Sequence, residues 1–270
     1  MSLLLCRQEY VEHPFYVECL GVRLYSSQEL AYVIYQHPLL VMDDFVEEGL
    51  LGFLRDECGL GFLALKLERW MKSHEDPDEA LAMILQESDY YSSQEISRFR
   101  QKVAGFRKKH PAEYKKLRAD ELFSLGQYGR ASRQYQELLS YPRDGVVDDG
   151  FLAKVWNNLG SCYARMFRTE QAYECYRQAY TLHGDPQVLR QLYCLSKLDG
   201  RLSFGDRFKA LVTEELQAQW DGAMDEARKK ASGADQVGQV ETLFAKDPIR
   251  RQAGAEELLH KWKKEYRTMV

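Results

Sequence analysis

Along most of this chain apolar residues recur at three- and four-residue intervals, the period of a helix with one buried face. Only residues 10–25 break the pattern. Phe15 to Leu20 and Val22 to Tyr25 are rich in β-formers and are separated by Gly21, which predicts a short β-hairpin or a single extended strand near residues 14–25. The same five residues, Tyr-Ser-Ser-Gln-Glu, begin at Tyr25 and again at Tyr91. Each is a capping box: Ser26 or Ser92 can accept from the amide three residues on, while Glu29 or Glu95 reaches back. Tyr25 with Leu30, and Tyr91 with Ile96, would add a hydrophobic staple. The recurrence therefore marks two helix starts.

Between and beyond these caps the spacing predicts a series of helices. Residues 30–36 stop at His37-Pro38. Asp43 and Asp44 are expected to open a helix carrying Phe45, Val46, Leu50, Phe53 and Leu54 to near Gly59. Residues 60–71 and 78–86 follow, and residues 93–109 set Ile96, Phe99, Val103 and Phe106 on one stripe. His110-Pro111 interrupts that stripe, because a residue before proline is driven away from helical geometry. Residues 203–227 carry Phe208, Leu211, Val212, Leu216, Trp220, Met224 and Ala227 as one continuous stripe, broken by Gly233. Residues 249–269 bring Leu258, Leu259, Trp262, Tyr266 and Met269 together.

The most ordered stretch is 151–186. Trp156, Leu159 and Tyr163 fall on one face of a first helix, and Tyr173, Tyr176, Ala179 and Tyr180 on one face of a second. Gly160, Ala172 and Ala179 are small where two helices must approach within roughly 8–10 Å. Pro186 follows as a stop. This order of large and small positions resembles the tetratricopeptide repeat, a helix–turn–helix unit of about 34 residues. A weaker unit resembles it at Gly126, Tyr128, Ala131, Tyr135 and Leu138, with Lys115 and Ala119 where the family places tryptophan and glycine. The seven-residue excess between the units falls in residues 141–150, which read as a loop. A third unit is expected from Asp185-Pro186, with Leu189, Leu192, Tyr193 and Leu195 inward.

The resemblance covers residues 111–200 and implies stacked helical pairs. The expected fold is all-α: a helical region over 1–110, tetratricopeptide-like repeats over 111–200, and helices over 201–270 that cap the solenoid, since exposed repeat ends need covering. The front half is also similar to N-terminal segments of uncharacterised bacterial tetratricopeptide proteins, which adds no mechanism.

A hydrophobic content of 45% fits a folded chain, and no apolar run approaches the ~20 residues of a membrane span. The segment Met1 to Cys6 has the cysteine of a lipoprotein cleavage site but neither the basic nor the long apolar region before it, so a cytoplasmic protein is expected. The six cysteines show no CxxC and no paired spacing with histidine; Cys162 and Cys175, inside the repeat, are expected as reduced packing residues. Charge is divided: residues 1–100 carry a net −10 and the remainder +6, within an overall −4. The acidic front half disfavours nucleic acid there.

Catalytic and metal motifs fail on spacing. His74-Glu75 has no second histidine one turn on, and Gly59-Leu-Gly61 lacks the third glycine and preceding strand of a phosphate loop. The acids at 43–48 and 74–79 read as solvated helix starts favoured by the N-terminal dipole. No cofactor, metal or enzymatic activity is expected. The C-terminal cations His260, Lys261, Lys263, Lys264 and Arg267 surround Trp262 and Tyr266, a pattern that could grip phosphates, although both aromatics fall on the apolar stripe.

In tetratricopeptide proteins the first helix of each pair lines a concave groove. The resemblance therefore implies that Lys154, Asn157, Asn158, Ser161 and Arg165 face it from the strong repeat. Family members that clamp a carboxylate-ended tail use lysine and asparagine here, and Lys116 and Asn158 stand at two matching positions. Asp120 replaces a second asparagine, and Arg190 supplies at most one member of the basic pair expected from the third repeat. The expected function is an adaptor binding a protein or peptide segment in that groove. The alternative is a ligand-sensing regulator acting on nucleic acid through the basic C-terminal helix.

Overall fold

The computed structural model describes residues 11–73 and 76–270. The segment Met1 to Cys6 and the pair His74-Glu75 lie outside the described residues. Described residues are overwhelmingly helical, with one small two-stranded sheet. The chain divides into two compact units, Met1–Arg118 and Ala119–Val270.

The first unit opens with the expected hairpin. Strand β1 (Phe15–Val17) pairs antiparallel with β2 (Val22–Leu24) in the register Phe15↔Leu24, Tyr16↔Arg23, Val17↔Val22. Gly21 turns the chain at φ +70°, a region that suits glycine. Val17 and Leu24 point inward, and Phe15 packs edge-on against Phe45 at 6.0 Å.

Helix α1 (Ser27–Gln36) is capped by Ser26, which accepts from the Glu29 amide at 3.1 Å. The reciprocal arm differs from expectation: the Glu29 carboxylate takes the N–H of Tyr25, one residue earlier than a capping box requires. At α6 (Ser93–Arg107) both arms form, with Ser92 N–H donating to Glu95 at 2.8 Å and Glu95 N–H to Ser92 Oγ at 3.4 Å. Between them lie α2 (Pro38–Val41), α3 (Glu48–Gly52), α4 (Gly61–Ser73) and α5 (Pro77–Glu87). Leu30, Ile34, Leu50, Leu54, Leu67, Leu81, Leu85 and Phe99 are fully buried and fuse these helices around one core. Burying each such side chain contributes about 1.5–3 kcal/mol.

Asp43 and Asp44 do not open a helix; α3 begins at Glu48. Asp43 is held instead by long-range donors: Arg107 at 3.0 Å, Arg118 at 3.0 Å and the Tyr114 hydroxyl at 3.1 Å. These bonds satisfy the carboxylate better than the amides of a helix start would. Arg107 also donates to both oxygens of Asp78 and to the Met42 carbonyl at 2.8 Å.

Helix α7 (Pro111–Ser124) carries the division between the units. The second unit continues with α8 (Tyr128–Leu138), α9 (Asp149–Arg165), α10 (Thr169–His183) and α11 (Pro186–Leu198). Short links make consecutive helices antiparallel neighbours, and α9 packs along both α8 and α10, with α10 against α11. The loop between α8 and α9 is ordered: Asp144 accepts from the amides of Val146 and Val147 at 2.8 and 2.7 Å, and Val147 is fully buried.

Past α11, the stripe expected to run unbroken from Phe208 to Ala227 is divided. Helix α12 (Asp206–Lys209) ends, and α13 (Glu214–Ser232) restarts with Thr213 accepting from the Leu216 amide at 3.3 Å. The start signal Thr213-Glu214-Glu215 overrides the apolar period, and Leu211 and Leu216 are left exposed. Phe208 and Trp220 are buried, Trp220 against Tyr193 with ring centroids 5.3 Å apart. Helix α14 (Asp235–Phe244), which the apolar pattern does not single out, precedes α15 (Pro248–Met269). No residue of α15 is buried. Among the described residues no helix is long and apolar enough to cross a membrane.

Candidate functional site

Helix α9 is the element on which the candidate site stands. Asp148 caps it, accepting from the Phe151 amide at 2.7 Å. Its inward face presents Val155, Leu159, Cys162 and Tyr163, all buried, while Trp156 is half-buried. Gly160 is needed for the crossing with α10: a β-carbon there would stand 2.8 Å from two ring carbons of Tyr176 and 3.2 Å from Cys175 Cβ. The other small positions, Ala172 and Ala179, are buried on α10.

With one face committed to packing, the other carries polar groups. Asn158 does not stand open. Its amide donates to Asp120 Oδ1 at 2.9 Å, and the same oxygen accepts from the Tyr135 hydroxyl at 2.5 Å. Tyr135 is 1% exposed, so Asp120 of α7, Tyr135 of α8 and Asn158 of α9 form a pin through three successive helices. Burial, reinforced by the Asp120 carboxylate, pushes the Tyr135 hydroxyl far above its ordinary value of 10.0. A second link joins Gln136 Nε2 to the Tyr163 hydroxyl at 2.8 Å, and a third joins Ser161 to the Tyr176 hydroxyl at 3.1 Å.

The remaining candidates differ from these. Asn157 donates weakly to Asn158 at 3.4 Å, and its own Oδ1 is buried without a hydrogen-bond partner. Gln191 Oε1 on α11 is in the same condition. Lys154 and Arg165, toward opposite ends of α9, are exposed and form no hydrogen bond or ion pair among the described residues. Arg190 is exposed on α11 beside Cys194, whose thiol burial pushes up and whose anion Arg190 favours. Lys116 lies on the part of α7 that belongs to the first unit. The geometry thus joins Asp120 with Asn158 in one network and ties Ser161 to Tyr176. It leaves Lys154 and Arg165 as the exposed cations of α9, while the exposed Asp149 is paired with Arg143.

Tyr135, Gln136, Tyr163 and Tyr176 form the links between these helices although the spacing marks them as packing residues or passes over them. The signal available for Tyr135 is its hydroxyl, since a buried tyrosine needs a partner. Cys162 and Cys175 are free thiols buried between the helices, and burial pushes each up to about 12. Among the described residues no group of three metal-ligating side chains is assembled.

At the C-terminal end, His260, Lys261, Lys263, Lys264 and Arg267 are all exposed on α15. Trp262 is half-buried, and the Tyr266 hydroxyl donates to the Met166 carbonyl at 3.4 Å. The Tyr266 hydroxyl is therefore tied to the end of α9, although its side chain is still partly exposed.

Successive helical pairs with small residues at their crossings make this a helical-repeat protein. Residues 153–185 match the tetratricopeptide repeat family, and the chain carries one strong repeat of that family there. No curated protein and no solved structure shows significant similarity to the chain. The repeat supports a general role in protein–protein interaction.

Proposed function

We propose that the protein is a non-enzymatic, cytoplasmic adaptor that binds a protein segment along the polar face of α9, with Lys154 and Arg165 as its charged contacts. The observation that carries this reading is their condition: both are exposed and unpaired on a helix whose opposite face is packed. Two cations flanking Asn157 and Ser161 favour an acidic or carboxylate-ended segment, because charge-assisted bonds to carboxylates are short and strong. Asn158 and Asp120 serve this surface by holding its shape, since their mutual bond occupies them.

The test is direct. Labelled acidic peptides with free and amidated C-termini are titrated against the whole chain and a Lys154→Glu/Arg165→Glu variant. Binding to the wild type that the folded variant loses supports the reading; equal binding by both proteins overturns it. A second reading, nucleic-acid binding through α15, is favoured by its exposed row of cations. It predicts retention on DNA or RNA that falls steeply with salt. The Tyr266 hydroxyl is engaged with the Met166 carbonyl and Trp262 is half-buried, so this reading ranks below the first.

A further inference from the structure

The first unit holds a cleft of about 490 Å³ beside α3 and α4, remote in sequence from the repeats. We propose that it binds a small zwitterion, a free α-amino acid with an aliphatic or thioether side chain.

Two features that weaken a helix fall together at this cleft. Residues Phe53–Glu57 form a π-helical turn, closed by the Cys58 amide donating to the Phe53 carbonyl at 3.0 Å. Single π turns inside α-helices occur frequently at functional sites. Arg55 lies within this turn and lines the cleft. Immediately before the turn stands Gly52, also on the wall. Glycine inside a helix is about 0.5–1 kcal/mol less favourable than alanine. Packing gives no reason for it: a β-carbon at 52 would meet only Asp56 Oδ2, at 3.9 Å. The open space above Gly52 belongs to the cleft.

Charge on the wall has both signs. Arg55 Nη2 and Glu68 Oε1 stand 2.5 Å apart, with both side chains partly exposed. A guanidinium carries five N–H groups, so this pair fixes Arg55 while leaving donors for a carboxylate. Lys72, one turn beyond Glu68 on α4, adds a second cation, and Glu48 in the first turn of α3 adds a second carboxylate. A simple anion would be repelled by Glu48 and Glu68, and a simple cation by Arg55 and Lys72. A molecule bearing a carboxylate and an ammonium satisfies both sets. Leu51 and Met71 supply apolar wall for its side chain. The volume lies within the range of small-molecule pockets.

Calorimetric titration of the whole chain with L-methionine and L-leucine tests the proposal, with N-acetylmethionine and methioninamide as blocked analogues. Saturable binding of the free amino acids, weakened about tenfold or more by either block, is the expected result. Lys72→Glu should weaken binding by removing a cation at an exposed position. Gly52→Leu should abolish it by filling the cleft. Circular dichroism and thermal melting check that both variants fold, and Lys72→Glu keeps the test valid if Gly52→Leu does not. Absence of saturable binding by the wild type overturns the proposal. So does equal affinity for the blocked analogues, or unchanged affinity in the folded variants.

Discussion

Gly160 lies against the ring of Tyr176 with no room for a β-carbon, which would sit 2.8 Å from both Cδ1 and Cε1. Contact that close forces the ring or the helix aside. Gly160→Ala should therefore destabilise the protein by about 1–3 kcal/mol despite the better helix propensity of alanine. Gly160→Leu should be at least as severe. Denaturant midpoints measure this, and an unchanged midpoint for either variant would remove the close crossing. Trimming the opposing ring with Tyr176→Leu should recover part of the loss in the double variant, although the Ser161 hydrogen bond goes with it.

Tyr135→Phe keeps the ring and removes one donor from Asp120. Leaving a part-buried carboxylate short of a donor costs about 1–3 kcal/mol. Asn158→Ala removes a second donor to the same oxygen. Because both act on one oxygen, the double variant should depart from the sum of the singles by a measurable coupling energy. Additive losses in urea melts would show that Asp120, Tyr135 and Asn158 do not act as a unit.

In the first unit, Arg107 reaches Asp43 through Nη1, Asp78 through Nε and Nη2, and the Met42 carbonyl through Nη2. Lysine offers a single ammonium and cannot reproduce that fork. Arg107→Lys should therefore lower the melting temperature nearly as much as Arg107→Ala. Full recovery by lysine, read by calorimetry, would reduce the network to simple charge balance.

The thiols of Cys162 and Cys175 sit at about 12 because burial disfavours the thiolate, against an ordinary 9.0. A folded value above the unfolded one means that their contribution to stability is complete below about pH 9. It is lost as the pH rises from there toward 12. Alkaline unfolding should begin in that interval and shift upward in a Cys162→Ala/Cys175→Ala variant, measured relative to the variant's own stability at pH 7. Iodoacetamide at pH 8 should label both thiols only after unfolding. Rapid labelling of the native chain would contradict their burial.

How far the sequence foretells this architecture depends on how local the signal is. The Ser92–Glu95 cap, the hairpin at Gly21 and the small positions Gly160, Ala172 and Ala179 act within a few residues or one helix pair, and each is readable. Asp43 is not, because its partners Arg107, Tyr114 and Arg118 are more than sixty residues away and only folding brings them near. The break at Thr213 shows two local signals in conflict, with a capping residue prevailing over apolar periodicity. Trp156 marks the repeat yet is half-buried, so Trp156→Ala should fall short of the about 3–5 kcal/mol of a core tryptophan. On the candidate surface, spacing brings out the polar residues of α9 but not that Asp120 and Tyr135 occupy Asn158, since that requires knowing what lies across the helix.

Helix α15 runs through twenty-two residues without burying one, whereas α9 beside its neighbours buries seven of its own. Amide hydrogens in the two helices should therefore exchange on different clocks. Those of α9 wait for an opening that disrupts the packed pairs, while those of α15 are released by local fraying. The same contrast sets the order of events under tension or limited proteolysis: the C-terminal helix yields first, and the repeat it rests on can remain folded after it has gone.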